Sequence, residues 1–113
     1  MTNFISYNQF NEIDIRLGTI IKAKECLELK NPYIILEIDF GENIGIKKSL
    51  AQLLKYYNSK DIVGKQIAAV TNFKPKQIGK HISEVLVLGF PDNDNQPILI
   101  APDKKISNGV KLF

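Results

Sequence analysis

Residues 15–23 read IRLGTIIKA and carry the strongest signal for the fold of this chain. It is rich in β-branched residues, which favour extended backbone because their side chains pack well on a pleated surface. Gly18 lies in the middle of this predicted strand, where a glycine is typical of a bulge or a strong bend. Because small barrels need such bends, the stretch predicts a strongly curled sheet.

Outward from this strand, the chain continues as short strands separated by turns. A second strand is predicted at 33–40, where LEIDF alternates apolar and polar side chains. Further strands are predicted at 44–49, 67–71 and 85–90, with a short extra strand at 97–101. This spacing of strands and turns is typical of a mainly β protein.

Two helices are predicted beside these strands. The first spans residues 6–12, with Ser6 as its N-cap. The second spans residues 50–57, where apolar residues recur at helical spacing at Leu50, Leu53, Leu54 and Tyr57. Five strands with one short helix between the third and fourth predict a five-stranded Greek-key barrel, the OB-fold. We expect one such domain over residues 1–113.

Length and composition exclude several protein classes. The chain has 113 residues, of which 44% are hydrophobic and 24% charged, as in globular rather than disordered proteins. No apolar run approaches the ~18 residues of a membrane span. The N-terminus lacks the basic and apolar blocks of a signal peptide, and the single Cys26 excludes an internal disulfide. We therefore expect a cytoplasmic protein without a membrane span.

The charge is concentrated in the middle of the chain. Residues 47–80 contain eight lysines and one acidic residue, a net charge of +7, whereas residues 1–46 carry −3 and residues 81–113 carry −1. Such a basic segment is expected of a surface that binds phosphate groups. The alternative is a solvated face that acidic residues from elsewhere balance in space.

The sequence offers few residues that could support catalysis. His81 is the only histidine and Cys26 the only cysteine, and nothing in the sequence orients the two as a dyad or adds zinc ligands. The segment Val63–Lys65 lacks the first glycine and the hydroxyl of a nucleotide-binding P-loop. We therefore expect a non-catalytic protein with no cofactor and no metal site.

Several motifs together resemble a known family. They read IDIRLGTI at 13–20, IDFG at 38–41, VTNFKPKQIG at 70–79 and SEVLVLG at 83–89. The resemblance is to the tRNA-binding domain family, whose members are free-standing or appended to methionyl-tRNA synthetases. IGIKKS at 44–49, with residues 101–109, is similar to the CsaA-like branch of that family.

This resemblance implies an OB-fold homodimer that assembles through its terminal extensions and binds tRNA. An export-related chaperone activity toward unfolded secretory precursors is also attributed to CsaA-like proteins. The apolar residues near both termini suit either a dimer interface or an apolar groove for polypeptide. Binding of structured RNA is the function we expect, and the chaperone is the alternative.

The predicted RNA-binding residues come from the basic segment and from the motifs. They are Arg16, Lys47, Lys48, Ser49, Asn72, Lys74, Lys76, Lys80 and Ser83. Lys74 and Lys76 share one side of an extended segment, whereas Lys47 and Lys48 point to opposite faces of a strand. Alternative interpretations remain for single residues: a turn for Asn72, the core for Phe73, and a structural salt bridge from Arg16 to Glu37 or Asp39.

Overall fold

The computed structural model describes residues 3–113, which form two short helices and nine strands. In chain order the elements are α1 (Tyr7–Asn11), β1 (Ile15–Cys26), β2 (Tyr33–Asp39), β3 (Ile46–Ala51), α2 (Ser59–Ile62), β4 (Gln66–Val70), β5 (Lys76–Ile78), β6 (His81–Ser83), β7 (Leu86–Val87), β8 (Gly89–Pro91) and β9 (Pro97–Leu99). The main sheet is antiparallel, with the order β3-β2-β1-β4-β7, and two separate hairpins form from β5-β6 and β8-β9. The mainly β fold class is therefore confirmed.

Strand β1 lies at the centre of the sheet and pairs with two strands along its length. Its first half, residues 15–19, pairs with β4, and residues 19–26 pair with β2. The register shifts between Ile20 and Lys22, so the bulge lies there and not at Gly18. Such a bulge increases the local twist, which allows one strand to follow both sides of a curled half-barrel.

The core lies on the concave face of this sheet. Strand β2 alternates as predicted: Ile34, Leu36 and Ile38 are fully buried, while the residues between them are only partly so. Phe40 extends this row, and Ile62 of α2 closes the end of the cluster. Each such side chain contributes roughly 1.5–3 kcal/mol through its removal from water, so this row supplies much of the stability of the half-barrel.

Backbone groups at the free edge of β3 form hydrogen bonds with the segment that leads into β7. The amide nitrogens of Glu84 and Val85 both approach the carbonyl oxygen of Lys48, at 2.8 and 3.3 Å. The Glu84 carboxylate in turn accepts a hydrogen bond from the Lys48 amide at 3.1 Å. These bonds bring the two ends of the sheet together and curl it into a half-barrel.

The helix predicted at residues 50–57 is wrong. Leu50 belongs to β3, the chain then turns, and the helix between β3 and β4 is α2, whose N-cap Asn58 accepts from the amides of Lys60 and Asp61. The helical spacing arose because a strand end and the following turn each place a leucine, Leu50 and Leu53, in the core.

Other element predictions are corrected at their ends. Helix α1 is present with Ser6 as its N-cap, as predicted. The fifth strand at 85–90 divides into β7 and the start of β8, and the extra strand at 97–101 is β9. The β5-β6 hairpin was not predicted, because its segment was interpreted as a loop. Within residues 3–113, no helix is long and apolar enough to cross a membrane.

The C-terminal segment completes the sheet beside the first half of β1. The Leu17 amide donates to the Val110 carbonyl oxygen at 3.1 Å, and the Gly109 amide donates to the Leu17 carbonyl oxygen at 2.8 Å. This edge of β1 is free because β2 pairs only from Thr19 onward. The C-terminus is thus held along the central strand.

Candidate nucleic-acid interface

The β5-β6 hairpin carries three of the nine predicted RNA-binding residues, Lys76, Lys80 and Ser83. Lys76 lies opposite Ser83 and Ile78 opposite His81, and the turn between them contains Gly79 at φ +61°. A side chain at Gly79 would also lie 2.5 Å from Cδ2 of Leu29. The positive φ favours glycine at this turn, and a larger residue would also require the end of the Leu29 side chain to move. Lys76 is held in paired backbone, whereas Lys80 lies in the turn itself.

A groove of about 620 Å³ lies between this hairpin and β3. Its lining combines lysines, an aromatic ring from each side and the start of β7: Tyr33, Leu50, Phe73, Lys74, Lys76, Ile78, Ser83, Glu84, Val85 and Leu86. Of the predicted residues, the structure thus brings Lys74, Lys76 and Ser83 together around one groove.

Phe73 lies on the surface of this groove. Its side chain is 58% exposed, so the interpretation of Phe73 as a core residue is wrong. Tyr33 lines the same groove, and its hydroxyl accepts a hydrogen bond from the Gln52 amide group at 3.0 Å. Exposed aromatic rings beside cations are what single-stranded nucleotides stack on in nucleic-acid-binding proteins. The contribution of Tyr33 was missed because an aromatic residue at the start of a strand resembles an ordinary core aromatic.

The lysines of the groove differ in whether a carboxylate lies close to the ammonium group. Within residues 3–113, neither Lys74 nor Lys76 lies within 4.0 Å of a carboxylate oxygen. Lys80, at the hairpin turn, lies 3.6 Å from Oε1 of Glu28 but is largely exposed. Exposed ion pairs of this kind are weak, with a median of about 0–1 kcal/mol. All three ammonium groups are therefore accessible to an incoming phosphate.

Strand β3 contributes less than predicted. Ser49 is 2% exposed and faces Leu36 in register, so its hydroxyl lies in the core and not on the binding surface. By alternation along the strand, Lys47 shares the face of Ser49, and its ammonium reaches Glu84 at 4.0 Å. Lys48 shares the opposite face with Leu50, which lines the groove.

The Ser83 hydroxyl forms hydrogen bonds within the protein. It accepts a hydrogen bond from the Leu50 amide at 3.1 Å and donates to the Val85 carbonyl oxygen at 3.3 Å. The first bond attaches the end of β6 to β3, and the second connects it to the segment that leads into β7; Leu50, Ser83 and Val85 all line the groove. Ser83 is thus placed at the groove with its hydroxyl already engaged.

Arg16 lies in a different network, at the start of β1. Its Nε donates to Oδ1 of Asp14 at 2.8 Å, and its Nη1 donates to the carbonyl oxygen of Gly109 at 2.9 Å. The alternative interpretation of Arg16 as a salt-bridge residue named Glu37 or Asp39 as its partner, whereas the structure shows the salt bridge with Asp14. Arg16 joins the central strand to the C-terminal segment and lies outside the groove lining.

Asp14 connects this network to the end of β4. Its second carboxylate oxygen accepts a hydrogen bond from the Thr71 hydroxyl at 2.6 Å. That hydrogen bond, followed by the hydrogen bond and charge of Arg16, holds the pKa of the Asp14 carboxyl below its ordinary value, against the opposing effect of burial. Asp14 is thus an ionised anchor between two strands.

Asn72 continues the same connection. Its Oδ1 accepts a hydrogen bond from the Asp14 amide at 3.0 Å, and its Nδ2 donates to the Glu12 carbonyl oxygen at 2.7 Å. Both ends of the side-chain amide are therefore bonded to the backbone that precedes β1. Asn72 directly precedes Phe73, so it positions the residues that line the groove.

A second groove, of about 1000 Å³, was not predicted. It lies between the edge of β4 and the C-terminal segment, and Lys65, Lys104 and Lys105 are among its lining residues. It shares no lining residue with the groove at Phe73. Lys104 and Lys105 were missed because residues 81–113 are slightly acidic as a whole, which concealed a local basic pair.

Cys26 and His81 lie in contact, contrary to the expectation that nothing orients them. Sγ of Cys26 lies 3.7 Å from Nε2 of His81, because the end of β1 and the start of β6 meet there. The Glu28 carboxylate joins them, at 3.2 Å from the same nitrogen. His81 and the neighbouring Lys80 lower the pKa of the Glu28 carboxyl.

Comparison with known proteins relates this architecture to solved structures. The chain is 41% identical to the chaperone CsaA of Bacillus anthracis, with a TM-score of 0.91 over 98% of this chain and 100% of that one. It is 43% identical to the CsaA chaperone protein of Picrophilus torridus, with a TM-score of 0.88 over 97% of this chain and 100% of that one. The half-barrel fold is thus shared with both.

Curated sequences and a family model complete the comparison. The chain is 34% identical to the methionine–tRNA ligase of Nanoarchaeum equitans and 28% identical to that of Pyrococcus horikoshii, over 96% of this chain in each case. It spans only about a seventh of the length of these ligases, 13% and 14%. Residues 15–111 match the family described as "Putative tRNA binding domain". With the groove, the half-barrel and this match in agreement, the chain belongs to the tRNA-binding domain family.

Proposed function

We propose that this protein is a non-catalytic module that binds tRNA as a homodimer in the cytoplasm. The observation that carries the proposal is the family match over residues 15–111. The groove at Phe73 supports it independently, since an exposed aromatic ring lies there between lysines that have no carboxylate partner within residues 3–113.

In this proposal the groove binds RNA through charge and stacking. Lys74, Lys76 and Lys80 contact phosphates, and Phe73 supports an unstacked base. The β5-β6 hairpin holds Lys76 in a paired strand, which lowers the entropy cost of ordering it on binding. Lys48 extends the positive charge along β3.

Other predicted residues take positioning roles. Asn72 and Arg16 use their polar atoms on the protein itself, so we assign them to the support of the groove and of the C-terminal segment. Ser83 joins the end of β6 to β3. Lys47 balances Glu84 and is free to exchange that partner for a phosphate.

The homodimer is proposed from the apolar surface at the two termini. Phe4 and Tyr7 near the N-terminus are almost fully exposed, as is Phe113 at the C-terminus. A groove of about 460 Å³, lined mainly by apolar residues of β1 and the C-terminal segment, lies beside Phe113. Large exposed apolar patches are typical of interaction sites. If two copies of the chain pack against each other through this surface, the dimer presents two RNA-binding grooves to one folded RNA.

Binding to tRNA across a salt series tests the proposal. If two subunits neutralise about six phosphates, the slope of log K against log salt should lie near −4 to −5. Replacing Lys74, Lys76 and Lys80 with alanine should reduce its magnitude by about 2–3 per functional site. The matched control replaces Lys22, Lys24 and Lys60, which are exposed and line neither lysine groove, and should change the slope much less.

Two results would count against this assignment. If the Lys74/Lys76/Lys80 variant binds tRNA as tightly as the parent at low salt, the groove at Phe73 is not the site. If replacing Lys65, Lys104 and Lys105 with alanine has the larger effect, the site is the second groove. A parent slope near zero would contradict electrostatic RNA binding altogether.

The alternative function is a chaperone that holds unfolded secretory precursors. It is favoured by the exposed apolar termini and by the solved relatives, which are described as chaperones. Apolar binding should persist or strengthen as salt rises, whereas tRNA binding should weaken. Competition between tRNA and a permanently unfolded polypeptide, repeated across the salt series, distinguishes the two functions.

A further inference from the structure

The cluster formed by Cys26, Glu28 and His81 is separate from the RNA-binding groove and has no role in the proposed function. Cys26 ends β1, Glu28 lies two residues further on, and His81 begins β6. We propose that these three side chains bind one zinc ion. The site would connect the end of β1 to the hairpin that carries Lys76 and Lys80.

The separations of the three ligand atoms match a tetrahedral zinc site. Sγ of Cys26 lies 3.7 Å from Nε2 of His81 and 3.6 Å from Oε1 of Glu28, and Nε2 lies 3.2 Å from Oε1. With zinc bonds of about 2.3 Å to sulfur and 2.0–2.1 Å to nitrogen or oxygen, tetrahedral geometry requires about 3.6 Å for pairs with sulfur and about 3.3 Å for the third. The three atoms already define one face of such a tetrahedron.

The arrangement is unlike a catalytic relay. In a nucleophile–base–acid triad, the nucleophile and the acid bind different nitrogens of the imidazole. Here the Cys26 sulfur and the Glu28 oxygen both approach the same nitrogen, Nε2 of His81. One nitrogen offers a single proton or a single lone pair, so it serves the two partners poorly. A cation at the centre would bind all three donor atoms at once.

The donor set selects the kind of metal. A thiolate, an imidazole and a carboxylate suit zinc and its spectroscopic substitute cobalt(II), and disfavour magnesium and calcium, which prefer oxygen ligands. Three protein ligands leave a fourth position for water. Cys26 is 5% exposed, whereas Glu28 lies at the surface, so that position opens on the Glu28 side. Binding displaces the thiol proton to solvent, which makes affinity rise with pH.

One neighbouring group opposes the metal. Nζ of Lys80 lies 3.6 Å from the same Glu28 oxygen, and the Lys80 side chain is highly exposed. A flexible exposed lysine moves away at little cost because its ion pair is weak. Replacement of Lys80 with alanine is therefore expected to tighten zinc binding rather than to weaken it.

A calorimetric titration of the metal-free full chain with Zn²⁺ tests the proposal. We expect one zinc per chain, and with Co²⁺ a sulfur-to-metal charge-transfer absorption. His81→Gln and Glu28→Gln, both changes of partly or fully exposed side chains, should weaken binding at least tenfold. Cys26→Ser should abolish the charge-transfer absorption. The control Glu25→Gln alters an exposed carboxylate on the opposite face of β1 and should bind zinc like the parent.

Thermal unfolding provides a second measurement. Zinc that binds only the folded chain should raise the unfolding midpoint of the parent and of Glu25→Gln, but not that of His81→Gln. The proposal is overturned if the parent binds less than one zinc per chain, if His81→Gln and Glu28→Gln bind as the parent does, or if Co²⁺ produces no sulfur absorption. None of these measurements involves RNA, so they succeed or fail independently of tRNA binding.

Discussion

Among single residues, Gly18 has the most direct effect on the core. A Cβ atom at this position would lie 2.5 Å from Cγ2 of Ile38 and 2.8 Å from two ring atoms of Phe40, and both neighbours are buried. Gly18→Ala should therefore destabilise the protein by about 1–3 kcal/mol through overpacking. Urea unfolding measures this change in the free energy of unfolding.

A double variant checks that the contact with Phe40 is the cause. Phe40→Leu removes the ring atoms nearest to the added methyl group, so Gly18→Ala/Phe40→Leu should lose less stability than the sum of the two single variants. Strict additivity would show that the contact with Phe40 is not the cause, and an unchanged free energy of unfolding in Gly18→Ala alone would show that close packing at Gly18 is unimportant.

Asp14, also a single residue, makes a pH-dependent contribution to the free energy of unfolding. Its pKa is lowered in the folded protein by the Thr71 hydroxyl and by Arg16, so its stabilising effect is fully present above the unfolded pKa and is lost as the pH falls through the folded one. Asp14→Asn should cost about 1.5–3 kcal/mol at pH 7, the range for hydrogen bonds to charged groups.

The difference between the parent and Asp14→Asn should shrink as the pH falls below the ordinary value of 3.8. Urea unfolding at pH 7 and at pH 3 measures both free energies. Using the difference cancels the titration of other carboxylates. A difference that is the same at both pH values would mean that the Asp14 charge does not contribute.

At the scale of elements, Asn72 determines how the end of β4 leads into the groove. Its side chain is bonded to the backbone at Glu12 and Asp14. Asn72→Ala should therefore reduce stability by about 1–2 kcal/mol and weaken tRNA binding at every salt concentration. The salt slope should stay unchanged, because no charge is removed.

Unfolding and the tRNA salt series, measured on the same Asn72→Ala protein, separate positioning from direct contact with phosphate. Lys74→Ala is the comparison, since it removes one cation from the same segment and should reduce the magnitude of the slope by about 1. A comparable reduction in Asn72→Ala would contradict its positioning role.

At the scale of the whole molecule, the exposed termini predict association. Light scattering at micromolar concentration should give about twice the chain mass of 12.8 kDa. The double variant Phe4→Ser/Phe113→Ser should shift the protein toward monomer, because it removes exposed apolar rings from both terminal segments.

Phe90→Ser is the matched control, since Phe90 is also exposed but belongs to β8 and to neither terminal segment. It should leave the mass unchanged. A single-chain mass at every concentration of the parent, or an equal effect of the control, would exclude the terminal interface.

Features that depend on local pattern could be predicted from the residues alone. Strands β1 and β2 follow from β-branched content and alternation, and α1 from its capping residue Ser6. The family followed from contiguous motifs, and Lys74 and Lys76 from charge and spacing. These signals lie within a few residues of each other, because the period of a strand and the chemistry of a cap are local properties.

Long-range packing, which no local pattern reports, sets which side chains are covered and which distant residues meet. Phe73 is exposed and Ser49 buried, although their residue types suggest the reverse, because burial depends on the element packed above a position. Cys26 and His81 are 55 residues apart in sequence and meet because β6 returns to the end of β1. The helix at 50–57 was wrong for the same reason, since Leu50 and Leu53 enter the core from a strand and a turn. Helical spacing shows that two positions share a face, but long-range packing determines whether the backbone between them is helical.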